Sequence, residues 1–177
     1  MDITLKMLSD EHQNILKVID ALLKEGGELE SEKEIDKIFF KRAIEFIRGY
    51  ADKFHHAKEE DILFKEFNIA AEAGCAHCNP VEQMLVEHNL GRDFVKGLEK
   101  GLEENNKEKI ILNARGYAQL LQEHIFKEDN IMYPMADDAL NQKVKEEMLE
   151  KFKEAEQRLI KEKEKHLSFV KELLDKK

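Results

Sequence analysis

The chain contains two stretches that read almost alike. Residues 55–64 read HHAKEEDILF and residues 124–133 read HIFKEDNIMY. Aligned without gaps, both stretches have histidine, lysine, glutamate and a further acidic residue at matching places, and both end in isoleucine, an aliphatic residue and an aromatic residue. Residues four apart lie one turn apart on the same face of a helix. Each stretch therefore predicts a helix that directs one imidazole and one carboxylate towards a single point.

The register of the first stretch requires a choice, because His55/Glu59 and His56/Glu60 have the same spacing. The gapless alignment favours His55 and Glu59, since it places them opposite the histidine and the glutamate of the second stretch. We therefore interpret His56 as a residue at the rim of the site or behind the ligands. The sequence alone leaves open whether His56/Glu60 replaces His55/Glu59.

Apolar residues recur with helical spacing along nearly the whole chain, which predicts an all-α fold. The predicted helices span about residues 4–24, 31–67, 80–102, 107–132 and 140–174. Gly26-Gly27 is a stop signal for the first helix, residues 31–34 form a capping box for the second, and Pro134 ends or kinks the fourth. We expect an antiparallel, up-down four-helix bundle in residues 1–140. A long charged helix in residues 141–177 should pack on the bundle or on a partner subunit.

Four predicted helices each carry one histidine where the apolar stripe would otherwise place a core residue. Two of them also carry an inward glutamate, which is expensive to bury unless it is paired or bound to metal. Imidazoles with carboxylates suit Fe, Mn or Zn, and bridging carboxylates hold two metals close together. A structural zinc site is normally closed by four ligands, so six candidates are too many. The predicted metal ligands are His12, His55, Glu59, His88, His124 and Glu128.

These residues resemble the hemerythrin-like (HHE cation-binding) family. The recurrent blocks are Glu11-His12, residues 55–64, Glu87-His88 and residues 127–131, and the resemblance covers about residues 3–140. It implies a four-helix bundle with two iron ions bridged by two carboxylates and an oxo or hydroxo group. It also implies dioxygen as the substrate, or peroxide or nitric oxide in some members.

One departure from the family bears on function. Oxygen-carrying hemerythrins have a fifth histidine one turn from another on the third helix, where this chain has Met84 and Arg92. Four histidines and two bridging glutamates with a bridging oxygen would fill roughly ten of about twelve octahedral positions. This favours reaction with a small oxidant over reversible oxygen carriage. Alternatives are an enzyme that turns over peroxide or nitric oxide, and an iron-handling or redox-sensing interaction module.

The alternative of a sensing module rests on the segment Cys75-Ala76-His77-Cys78. Its thiols could form a redox couple, or Cys75, His77 and Cys78 could bind a second metal with a fourth ligand from elsewhere. The segment could also be an exposed connection without a function. The sequence does not choose among these.

Composition excludes some partners. Asp and Glu outnumber Lys and Arg by 38 to 29, which gives a net charge of −9 and argues against nucleic acid. An apolar run of membrane length and a signal peptide are both absent from the sequence, so we expect a cytoplasmic protein. The charged last helix makes a homodimer a reasonable expectation. Along the helices, Ile131 is predicted to point inward and His166 towards solvent.

Overall fold

The computed structural model describes residues 1–31 and 33–175, and every regular element within them is helical, as predicted. The helices are α1 (Ile3–Glu28), α2 (residues 37–72), α3 (Val81–Glu103), α4 (residues 107–139), α5 (Gln142–Arg158) and α6 (Ile160–Asp175). A single 3₁₀ turn, Leu29–Ser31, follows α1. Among the described residues, no helix combines the length and the apolar character needed to cross a membrane.

Helices α2 and α4 change their hydrogen-bonding pattern near the repeated stretches. Helix α2 is π-helical over Ile47–His56 and Glu59–Leu63, and α4 is π-helical over Glu128–Met132. A π turn bonds residue i to i+5, which rotates the following residues relative to an α-helix. The prediction for Ile131 is wrong for this reason: its side chain is 49% exposed, and Met132 occupies the buried position instead.

Two predicted helix boundaries are also wrong. Helix α1 runs through Gly26-Gly27 to Glu28. Gly26 is buried, and a Cβ atom there would lie 3.4 Å from the Cβ of Ala114, which is an ordinary van der Waals distance between α1 and α4. Helix α2 begins at Lys37, where the Asp36 side chain accepts hydrogen bonds from two backbone amides. The predicted capping box includes Glu32, which lies outside the described residues.

Pro134 does not end the fourth helix. Helix α4 continues through it to Ala139, because Pro134 falls in the first turn of the α-helical segment Tyr133–Ala139 that follows the π turn. Proline is tolerated in a first helical turn.

The C-terminal region forms two helices, interrupted at Leu159, and not the single helix predicted. Lys176 and Lys177 of the predicted segment 141–177 lie outside the described residues. Both helices contribute to the core. The buried residues that they supply are Met148 and Phe152 from α5 and Phe169 and Val170 from α6.

His166 on α6 is buried, contrary to the prediction that it faces solvent. Its ring lies 5.9 Å from that of Phe46 in an edge-to-face arrangement. Gly49 makes room for it, since a Cβ atom at that position would lie 2.1 Å from the imidazole Nε2. The sequence of α6 alone does not reveal this fit.

The apolar core is divided into two clusters, with a polar layer between them. Along α1, Leu5 and Leu8 belong to one cluster, Ile15 and Ile19 belong to the other, and His12 lies between. His55 on α2 and His88 on α3 lie at the same boundary, and on α4 Glu128 lies between Ile125 of one cluster and Met132 of the other. The fold thus positions the predicted site in the middle of the bundle.

Replacing Phe152 by alanine should destabilise the whole fold, because its side chain is fully buried in the core. We expect a loss of about 3–5 kcal/mol in the free energy of unfolding, measured by urea titration in the presence of a chelator. Phe126→Ala is the matched control, since Phe126 is 64% exposed, and it should change stability by less than about 0.5 kcal/mol. Equal effects of the two substitutions would show that α5 is not part of the core.

Candidate metal centre

Two fully buried carboxylates lie at the centre of the polar layer. The side chains of Glu59 and Glu128 are both 0% exposed. Each glutamate is the first residue of a π-helical segment, at the same place in the two repeated stretches. Single π turns inside α-helices are frequent at functional sites. The repeated stretches therefore share a local backbone irregularity as well as a sequence.

One group of ligand atoms comes from the first two helices and from both carboxylates. His12, His55, Glu59 and Glu128 each offer one atom, and these atoms all lie within 4.8 Å of one another. His12 Nε2 is 3.2 Å from Glu128 Oε2, and His55 Nε2 is 3.7 Å from Glu59 Oε2.

A second group consists of three imidazoles, those of His56, His88 and His124, whose nitrogens also lie within 4.8 Å of one another. His124 Nε2 is 3.0 Å from Glu128 Oε1, and His88 Nε2 is 3.6 Å from Glu59 Oε2. The carboxylates therefore lie between the two groups. The structure brings all six predicted ligands together, and it adds a seventh residue.

The added residue is His56, which we predicted at the rim or behind the ligands. It is 6% exposed, and its ring stacks on that of His88 with the centroids 3.8 Å apart. The internal repeat could not reveal it, because the matching residue in the second stretch is Ile125. A signal was present in Asp52, four residues earlier, which offers His56 a carboxylate partner on the same helical face. His55 and His56 are adjacent on α2, and each belongs to a different group.

Each of the five imidazoles has a carboxylate at its outer nitrogen, Nδ1. Four of these contacts are hydrogen bonds of 2.7–3.0 Å, and the fifth, from His56 to Asp52, is longer at 3.5 Å. The four bonded pairs are His12 with Asp129, His55 with Glu11, His88 with Glu60 and His124 with Glu87. A carboxylate accepts from Nδ1–H, which leaves the lone pair of Nε2 directed inward. This arrangement is the usual support for a metal-ligating histidine.

The central carboxylate oxygens lack such support. Among the described residues, Glu59 Oε2 and both oxygens of Glu128 are buried and have no hydrogen-bond partner. They face the inner imidazole nitrogens of His12, His88 and His124 at 3.0–3.9 Å. A buried charge without a partner is strongly unfavourable, whereas cations at this point would satisfy every one of these atoms. The residues present therefore fit a centre of two metal ions, with the nitrogen and oxygen ligands that iron, manganese or zinc accept.

The pKa values of the cluster also indicate that the site favours positive charge. Burial alone would lower the pKa of His12, but its bond to Asp129 and its proximity to Glu128 outweigh this and raise the pKa to about 9. Burial also opposes protonation of His124, and Glu128 and Glu87 nevertheless raise its pKa to about 10. Burial and the neighbouring Glu128 raise the pKa of Glu59.

The contacts around the site follow the internal repeat. Lys58 pairs with Glu11, the partner of His55, and Lys127 pairs with Glu87, the partner of His124. The aromatic residues that end the two stretches also correspond. Phe64 stacks on His88 at 5.9 Å between centroids, and Tyr133 stacks on His12 at 5.6 Å. The contacts made by α1 and α2 are thus repeated by α3 and α4, and the aromatic contacts join one pair of helices to the other.

Tyr133 introduces a difference between the halves. Its hydroxyl, which Phe64 lacks, donates to Glu59 Oε1 at 2.6 Å and lies 3.3 Å from His12 Nε2. The group of His12 and His55 therefore has two imidazoles and a buried hydroxyl, whereas the other group has three imidazoles.

The segment Cys75–Cys78 lies in the connection between α2 and α3, with both thiols free and exposed. Neither cysteine nor His77 belongs to a metal-binding group among the described residues. The redox and second-metal interpretations of this segment stay predictions.

Comparison with known proteins supports the reading of the ligand blocks. The family model of the hemerythrin HHE cation-binding domain matches residues 4–136. No curated protein and no solved structure matches the chain. The matched region spans α1 to α4 up to residue 136 and contains every residue of both ligand groups. The resemblance predicted from the histidine and glutamate blocks is confirmed, and the chain belongs to the hemerythrin HHE cation-binding domain family.

Proposed function

We propose that the chain is a non-haem di-iron protein that binds and reacts with dioxygen or a related small oxidant. The observation that carries the proposal is the pair of buried glutamates whose oxygens lack partners among the described residues and lie between two groups of imidazoles. The family binds cations; two irons, the oxidant and an antiparallel up-down arrangement of α1–α4 are parts of our proposal.

The two groups divide the ligands between two iron positions. His12 and His55 would hold one iron, and His56, His88 and His124 would hold the other. Glu59 and Glu128 would bridge them. A reduced pair of irons supplies the two electrons that a small oxidant takes up.

The fifth imidazole changes the expectation drawn from the sequence. Five imidazoles, two carboxylates that each bind both irons and a bridging oxygen that also binds both would supply about eleven of about twelve octahedral positions. The one remaining position would then lie on the iron held by His12 and His55, the group that the Tyr133 hydroxyl contacts. The proposed ligand set therefore differs less from that of the oxygen-carrying hemerythrins than one would expect from Met84 and Arg92, which stand where those proteins have a histidine.

The alternative of an enzyme acting on peroxide or nitric oxide has one supporting observation. The Tyr133 hydroxyl is a buried proton-bearing group that contacts Glu59 and His12. Reduction of peroxide consumes protons, and a hydroxyl at this place can hold one beside the reacting group. Steady-state rates with peroxide and with nitric oxide, compared between the wild type and Tyr133→Phe, separate turnover from binding.

The test of the main proposal is the optical spectrum of the anaerobic ferrous protein as air and then azide are admitted. Charge-transfer bands of an oxo-bridged iron pair that azide shifts would support a small-molecule site. A persistent oxygenated spectrum favours binding, and rapid conversion to the oxidised spectrum favours turnover. A protein that stays colourless in air with its iron bound would contradict the proposal.

Replacing His56 by alanine should weaken iron binding by at least about tenfold, because it removes an inward imidazole from the group of three. The measurement is a competition titration with an iron chelator. His77→Ala is the matched control, since His77 is exposed in the α2–α3 connection and belongs to neither group. Equal affinities for the wild type and His56→Ala would place His56 outside the iron shell, as the internal repeat suggested.

Replacing Glu87 by glutamine should lower iron affinity by about 10- to 100-fold, because the carboxylate that orients His124 loses its charge. Glu87 is preferable to Glu11 for this test. The partner of Glu11, Lys58, is 1% exposed and would be left buried without a counter-charge, whereas Lys127 is 26% exposed. Glu123→Gln, an exposed position on α4, should leave the affinity unchanged. An effect in both variants would mean that general surface charge accounts for the loss.

A further inference from the structure

Arg92 lies on α3, one turn after His88, and its guanidinium contacts two carboxylates on α2. Arg92 Nε and Nη2 donate to Asp52 Oδ1 at 2.9 and 2.6 Å, and Nη2 also donates to Glu60 Oε1 at 2.7 Å. These are the carboxylates at the outer nitrogens of His56 and His88. One side chain on α3 therefore contacts the carboxylates behind two of the three imidazoles in the second group.

The oxygen atoms that Arg92 contacts are the ones that face the imidazoles. Glu60 Oε1 accepts from His88 Nδ1 at 2.7 Å, and Asp52 Oδ1 is the atom that lies 3.5 Å from His56 Nδ1. Because both oxygens bond to one Arg92 nitrogen, the guanidinium fixes where each oxygen stands relative to its ring. Without the guanidinium, two negatively charged oxygens would lie close together and would repel each other.

The ring of His56 is the imidazole with the weakest direct support. Its Nδ1 is buried and has no hydrogen-bond partner among the described residues. The ring is held by the approach of Asp52 and by stacking on the ring of His88, whose centroid is 3.8 Å away. Arg92 acts on both contacts, since it bonds Asp52 directly and reaches His88 through Glu60.

The lysines behind two other imidazoles have a simpler arrangement. Lys58 contacts Glu11 and Lys127 contacts Glu87, so each lysine pairs with the carboxylate of one imidazole. An ammonium is a point charge, whereas a guanidinium presents a rigid, planar fork of donors. Arginine is therefore suited to a place where two carboxylates must be held at once.

We propose that Arg92 is a positioning residue for the iron of the three-imidazole group. It fixes Asp52 and Glu60, so that the stacked rings of His56 and His88 hold their inner nitrogens in place for one metal ion. The inference rests on the proposed function, which assigns the three imidazoles to one iron of a pair. Loss of Arg92 should therefore disturb one iron more than the other.

The experiment compares Arg92→Gln with the wild type in two measurements on protein loaded with the Mössbauer isotope of iron. In a competition titration with an iron chelator, Arg92→Gln should bind one of the two irons about tenfold less tightly, because two carboxylates behind the ligands lose their common donor. In the Mössbauer spectrum of the reduced protein, the signal of one iron should change while that of the other keeps its wild-type position. A general loosening of the bundle would not confine the change to one iron.

Two further variants separate the geometry of Arg92 from its charge and from the joining of the helices. Arg48→Gln is the matched control, because Arg48 also joins α2 to α3, through two hydrogen bonds to Glu99. Within the described part of the chain, Arg48 pairs with none of the carboxylates behind the imidazoles. This variant should keep the wild-type affinity and both iron signals. Arg92→Lys keeps the charge but lacks the planar fork, so it should recover part of the affinity and not all of it.

Wild-type affinity and spectra in Arg92→Gln, full recovery in Arg92→Lys, or equal changes in both iron signals would overturn the proposal for Arg92 and leave the di-iron proposal standing. A wild-type protein that binds fewer than two irons would overturn both proposals. Iron content per chain is measured on every sample, so the two failures are distinguished.

Discussion

The burial of Glu59 and Glu128 is the constraint on which the rest of the structure depends. Two carboxylates in the middle of an apolar bundle require positive charge, and the chain surrounds them with five imidazoles, four of which are hydrogen-bonded at the outer nitrogen to a further carboxylate. These outer bonds direct the inner nitrogens of the four rings towards the glutamates. The arrangement is unfavourable without cations and favourable with them, so metal binding and the stability of the bundle should be coupled.

The internal repeat explains how one short sequence builds the whole site. A Glu-His pair on one helix and a His-x-x-Lys-Glu-acid stretch on the next make one half, and the second half repeats it with the same contacts. The two groups of ligand atoms nevertheless differ. Tyr133 adds a hydroxyl beside the group with two imidazoles, and His56 adds an imidazole to the other group.

The helical class and the convergence of the six predicted ligand residues could be predicted, because both follow from the repeat and from helical periodicity. The positions that were not predicted depend on structural features that the repeat and the helical periodicity do not reveal. Ile131 was misplaced because a five-residue π turn is too short to alter a hydrophobic period visibly. The repeat could not place His56 in the second group of imidazoles, because the matching residue of the second stretch is Ile125. The burial of His166 depends on Gly49, which lies on a helix distant in the sequence.

The most direct test of the central claim is an anaerobic titration of metal-free protein with ferrous iron, followed by unfolding at each iron content. If the site holds two irons as proposed, we expect a break at two irons per chain and a rise in unfolding temperature up to that point, because the second cation would neutralise the carboxylates that the first leaves partly unpaired. A break at one iron per chain, or iron that binds without changing stability, would contradict the proposal that two cations hold Glu59 and Glu128 in the core.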